Sequence, residues 1–186
     1  TPTGANAPVG FLPLPHTDSS RVETCRINMR LVGANPNPNI VMEGRSEDYT
    51  NYYNHNALSV YSYKKITYKN IYPHIDWVIY TQDGNYKYDF VIHPGGHPER
   101  IKMQYSHAEQ LYIDKQGNLI LRNRLGDIRD HAPFAFQNET PIQSSYVLQD
   151  STLQFHIADY DRSQTLTIDP KIDWSTYYVS SLMQGS

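Results

Sequence analysis

The stretch IDWVIYTQDGNYKYDFVI, residues 75–92, decides the fold. Two runs rich in Val, Ile, Tyr, Phe and Trp flank QDGN (82–85), and an Asp-Gly pair between β-rich runs is a strong hairpin signal. Residues 75–81 and 85–92 are therefore the expected arms of a hairpin. Strand side chains alternate, so Tyr86, Tyr88, Phe90 and Ile92 share one face while Asn85, Lys87, Asp89 and Val91 take the other. Asp89 is then a structural anchor opposite the tyrosines. The second arm runs into HPGGHPERI (93–101), where Pro94 and Gly95 set the exit turn.

The same device recurs along the chain. CRINMRLVG (25–33) is the first strand expected, and ANPNPN (34–39) breaks it. Residues 43–56 are polar with scattered Tyr and read as loop. KKITYKNIY (64–72) alternates Ile66, Tyr68 and Tyr72 against Lys65, Thr67 and Lys69. YIDKQGNLIL (112–121) turns at Asp114, TLQFHIADY (152–160) alternates again, and LTID (166–169) closes the series before Pro170. No segment sustains apolar residues at i, i+3, i+4 and i+7 over ten positions. Short strands with turn chemistry between them predict an all-β, antiparallel, sandwich-like module of many short strands and hairpins with little or no helix. Three spans follow: a Pro-rich linker or extended loop over 1–24, the all-β domain over 25–172, and the start of a following segment over 173–186.

Composition excludes several classes. The formal charge is −3, and the densest basic pair is Lys64-Lys65, so no nucleic-acid footprint is present. A single Cys25 rules out an intrachain disulfide and any CxxC metal knuckle. No apolar run approaches the roughly 20 residues of a membrane span. The residues TPTGANAP at the start carry no signal-peptide pattern.

Three places offer candidate chemistry, each beside a plainer reading. His93 and His97 flank Pro94-Gly95-Gly96, which forbids the helix that would align them as zinc ligands. A loop could join them with Asp89 or Glu99 as an oxygen ligand; the alternative is a strand corner with His97 in solvent. His74 and Asp76 in YPHID (72–76) could form half of a nucleophile triad, or Asp89 and His93 could, but no Ser sits in a nucleophile elbow. The plainer reading makes Pro73 a turn residue and Asp76 an acceptor for backbone amides. DYDRS (159–163) places Asp159 and Asp161 at a partial calcium-loop spacing, without the glycine and closing Glu of a complete one. Its alternative is a turn at Asp161-Arg162, with Asp159 paired to a nearby base. No carboxylate pair stands out among the 19 acids, and no glycine-rich phosphate loop occurs. The 16 tyrosines suit either sugar-stacking platforms or sheet surface.

One ordered series of motifs carries a resemblance. LVGANP (31–36), NYY (51–53), YKNIYPHIDWVIY (68–80), YKYDFVIHPGGHPERI (86–101), DKQGNLIL (114–121), DHAPFAFQ (130–137) and ADYDRSQTLTIDP (158–170) are similar to the conserved N-terminal domain of bacterial SBBP (β-propeller repeat) surface and secreted proteins, frequent in Bacteroidota. The resemblance spans about residues 31–181. Two departures stand out: the turn PGGHP has His97 where that family usually carries an acid, and WSTYYVSSLMQGS (174–186) lacks the two glycines after the Tyr of a first propeller repeat. The resemblance implies an exported, multidomain setting with propeller repeats, adhesion-type modules and type IX secretion, and it implies no catalytic residues. Residues of these motifs, Tyr72, Pro73, Asp76, Tyr88, Asp89 and Phe90, are then expected to serve the fold. Pro94, Gly95, Tyr160, Asp161, Asp169 and Pro170 belong with them. The expected function is a non-catalytic structural or adhesion module at the cell surface, with a carbohydrate- or peptide-binding module as alternative and a hydrolase as the last. Expected partners are other domains of the same larger chain and a surface glycan or protein, with no nucleic acid and no membrane span. No cofactor is expected beyond the calcium alternative at Asp159 and Asp161.

Overall fold

A computed structural model describes residues 25–53, 57–82 and 85–173. The expected linker over 1–24 and residues 174–186 lie outside the described residues. The first strands are β1 (Asn28–Leu31), β2 (Asn39–Tyr52), β3 (Ala57–Tyr72), β4 (Ile75–Gln82) and β5 (Asn85–Ile92). A 3-10 turn at Pro98–Arg100 precedes β6 (Met103–Ser106), β7 (Gln110–Ile113), β8 (Leu119–Asn123), β9 (Gly126–Asp130) and β10 (Phe134–Gln137). The chain continues through β11 (Thr140–Ile142), β12 (Ser144–Gln149), β13 (Thr152–Ile157), β14 (Leu166–Asp169) and β15 (Ile172–Asp173). No α-helix occurs among the described residues, and so no helix there is long and apolar enough to cross a membrane.

The strands form three open antiparallel sheets, ordered β1-β6-β13-β12, β11-β10-β14-β5-β4-β3-β2 and β15-β9-β8-β7. The hairpin over 75–92 is present as read, in continuous register from Ile75 opposite Ile92 to Gln82 opposite Asn85. Its inward face supplies Phe90 and Ile92, both fully buried, whereas Tyr86 at the open end is exposed. Phe90 stacks on Trp77 within the large sheet and meets Phe155 edge-on across the layers, at ring-centroid distances of 6.3 and 5.8 Å. Met103 and Leu153 from the first sheet and Leu119 from the third complete the same core. Fully burying side chains of this size contributes about 1.5–3 kcal/mol each, which explains why the three sheets close on this hairpin.

The tight turn at Asp114 is equally local in origin. Its Oδ1 accepts the backbone amides of Gln116 and Asn118, and Gly117 takes a left-handed φ of +84° that suits glycine. Asn118 then accepts the amide of Ala132, tying the β7–β8 turn to the loop that follows β9.

Two expectations need correction. Residues 43–56 are not loop throughout: β2 is a 14-residue strand reaching Tyr52. Polarity misleads here because no buried face imposes an apolar period, while the backbone ladder with β3 needs none. The alternation read over 64–72 also misplaces Thr67, which is buried opposite Val78 in a central strand, and it breaks at a bulge near Asn70.

The β2–β3 pair extends past its neighbours. β4 pairs with β3 only from Lys65 to Tyr72, and β2 is the edge strand of the sheet. Beyond Gly44, β2 and β3 have only each other, and among the described side chains from Val41 to Lys65 none is buried. Tyr49 meets Tyr61 edge-on at 5.9 Å, and the Arg45 guanidinium lies 4.3 Å from the Tyr61 ring centre. The Ser59 amide donates to Asn51 Oδ1 and the Ser62 amide to Ser46 Oγ.

Candidate functional site

The corner after β5 brings its groups together in a different pairing from either one expected. The histidine that reaches Asp76 is His93, not His74: His93 Nε2 lies 2.9 Å from Asp76 Oδ2. Lys69 Nζ donates to the same oxygen at 2.7 Å, and the Asn70 amide donates to Oδ1 at 2.8 Å. Burial opposes ionisation of Asp76, but these bonds from His93, Lys69 and Asn70 outweigh it and hold the carboxyl below its usual range. His74 is exposed at the turn with φ +60°. His97 engages Glu99, 2.9 Å away. The two histidines therefore serve different carboxylates, and Asp89 accepts the Tyr80 hydroxyl instead. Burial, with the charge of Asp169 nearby, raises the Asp89 carboxyl to about 6. Lys87 closes this face by pairing with Asp169 at 3.0 Å.

The 159–163 loop is organised as a turn. Asp161 Oδ1 accepts both the amide and the hydroxyl of Ser163, and Oδ2 accepts from Gln164. Gln137 docks the loop on the sheet, donating to the Asp161 carbonyl and accepting the Asp161 amide. Arg162 lies against the Tyr160 ring, 5.4 Å from its centre. Asp159 is exposed and forms no ion pair among the described residues, so its expected pairing with a base is not found. Among the described residues no three His, Cys, Asp or Glu side chains stand together as a metal-ligand group.

The most built site was missed by sequence reasoning. A cavity of about 540 Å³ opens beside the core, walled by Ile27, Met29, Trp77, Ile79, Leu121 and Ile128, with Tyr86, Tyr88, Tyr105 and Asp130 also lining it. Asp130 is only 1% exposed. Its Oδ2 accepts the Tyr88 hydroxyl at 2.9 Å, and the Tyr146 hydroxyl also donates to the carboxyl. Burial pushes its carboxyl up to about 6, against the steadying effect of the tyrosine hydroxyls around it. Burial likewise raises the hydroxyls of Tyr88, Tyr105 and Tyr146 above their ordinary range, with the Asp130 charge adding to the effect. The Trp77 indole N–H is buried without a partner. The signal available in the sequence was alternation in β9, which puts Asp130 on the same face as Ile128, an acid on an apolar stripe.

The chain belongs to a family described as a domain of unknown function, DUF7948, which matches residues 11–171. No curated protein and no solved structure matches the chain.

Proposed function

We propose that this domain is a non-catalytic structural and adhesion module of an exported, multidomain bacterial surface protein. The observation that carries the reading is the β2–β3 ribbon, which projects beyond the large sheet and exposes Tyr49, Tyr53, Leu58 and Val60. An isolated two-stranded hairpin is marginal in water, so a ribbon of this length with apolar groups in solvent suits a surface that docks on a partner. The partner is a protein surface, either another domain of the same larger chain or a neighbour at the cell envelope. The motif series similar to SBBP proteins supports the exported setting.

The purified domain is expected to remain on intact cells of the producing bacterium after washing. The variant Tyr49→Ser, Leu58→Ser, Val60→Ser is expected to lose that retention while keeping its circular dichroism and its melting temperature within a few degrees. Retention unchanged by the triple substitution would remove the ribbon from the function. A hydrolytic activity lost on His74→Ala or Asp89→Ala would remove the non-catalytic part. A second reading, a carbohydrate-binding module, is favoured by the exposed rings of Tyr49 and Tyr53 on that ribbon. Binding on a glycan array that Tyr53→Ala abolishes would select it.

A further inference from the structure

We propose that the apolar cavity where the three sheets meet is the seat of this chain's own residues 11–15, FLPLP, which close it as part of the fold. The inference is separate from the ribbon and does not depend on it.

The walls of the cavity define what fills it. Met29 comes from β1, Trp77 and Ile79 from β4, Leu121 from β8 and Ile128 from β9, so each sheet contributes apolar surface. Protein interiors pack as densely as organic crystals and hold few voids as large as this one of about 540 Å³. Asp130, the acid on the wall, already takes hydrogen bonds from the Tyr88 and Tyr146 hydroxyls. The cavity therefore calls for apolar side chains and not for a charged group, because removing such walls from water is favourable in itself.

Connectivity, extent and chemistry then name the occupant. Cys25 and Arg26 line the cavity, so the chain ahead of Cys25 meets the fold at the cavity itself. The family match begins at residue 11, which makes residues 11–24 part of the domain and not a linker outside it. Within that span the apolar residues gather in FLPLP, while HTDSSRVET (16–24) is mostly polar and suits a connector in water. Ten residues of chain reach at most about 35 Å, ample for Pro15 to turn back onto the rim at Cys25. A loop this short costs little closure entropy. Pro13 and Pro15 have no N–H, so burying this segment leaves fewer backbone donors to satisfy than an ordinary pentapeptide would. Phe11, Leu12 and Leu14 supply the side chains that meet the walls.

The test uses the whole 186-residue chain. Leu12→Asp with Leu14→Asp is expected to lower the melting temperature by roughly 5 °C or more. The same variant is expected to admit the neutral apolar dye N-phenyl-1-naphthylamine, with a fluorescence rise that the wild type does not give. Ser19→Asp with Ser20→Asp, which adds the same charge to the connector, is expected to do neither. A second measurement reads the seating directly, without a destabilised chain. In a Cys25→Ser background, Leu12→Cys with Ile128→Cys is expected to close an intrachain disulfide under mild oxidation, because Ile128 lines the cavity. Leu12→Cys with Val147→Cys, at an exposed position of β12, is expected not to. Equal dye uptake by the wild type and the Leu12, Leu14 variant would overturn the proposal and leave the cavity open to an apolar ligand from outside. An unchanged melting temperature in that variant would overturn it too, as would cross-linking to position 128 no faster than to position 147.

Discussion

Asp76 and His74 lie two positions apart, yet their substitution should have opposite weight. Asp76 is buried and gathers Lys69, His93 and the Asn70 amide, so Asp76→Ala removes three hydrogen bonds at the sheet corner, though Lys69 and His93 reach water. That should cost about 1–2 kcal/mol in urea denaturation, the range for lost hydrogen bonds to a charged group whose partners reach water. His74 is exposed, and His74→Ala should change stability by no more than about 1 kcal/mol. Asp130 carries a pH dependence of the less usual sign. Its folded carboxyl is raised to about 6, above the ordinary value, so the folded state binds that proton more tightly than the unfolded chain. Stability from this group is present below pH ~4, falls as the pH rises to ~6, and is level above, a total of about 3 kcal/mol. Asp130→Asn should therefore gain on the wild type between pH 4.5 and 7.5 in melting temperature. A constant difference across that range would contradict it. The Asp89 carboxyl acts with the same sign, and the lowered Asp76 carboxyl with the opposite one, its contribution being lost on acidification. The role of Asp76 was legible because Pro73 and a strand start announce it. Its partner was not, since His93 is brought in by the hairpin register, with Asp76 opposite Val91 and His93 two residues beyond.

At the scale of the element, the corner after β5 rests on two glycines for different reasons. A Cβ at Gly96 would stand 2.7 Å from the Ile92 side chain and 2.8 and 2.9 Å from the carbonyls of His74 and His93. Backbone cannot yield there, so Gly96→Ala should cost about 3 kcal/mol or more by forcing the turn apart. Gly95 has room, with the His74 ring 3.7 Å away, but its φ is +87°. Gly95→Ala should therefore cost only about 1–2 kcal/mol, from left-handed strain alone. Chemical denaturation of the two variants in parallel checks the order. The β4–β5 hairpin was legible because its turn chemistry and its apolar face agree. β2 was not, because half of it faces solvent on both sides and its order comes from backbone pairing that leaves no pattern in side chains. The cavity escaped for a third reason: Asp130, Tyr88 and Tyr105 come from three separate strands, one in each sheet.

Across the whole molecule, burial and exposure divide the work. The hairpin over 75–92 holds three sheets on one core, which leaves the ribbon free of any structural duty to that core. Its amides beyond Gly44 are tied only between β2 and β3, so in the isolated domain they should open with little free energy. Hydrogen–deuterium exchange compares them directly in the isolated domain and in the larger surface protein proposed to carry it. The expected result is fast exchange over 45–52 and 57–63 in the isolated domain and clear protection of the same amides in the intact protein, with the core strands β4 and β5 unchanged. Equal exchange of the ribbon in both would contradict a docking role.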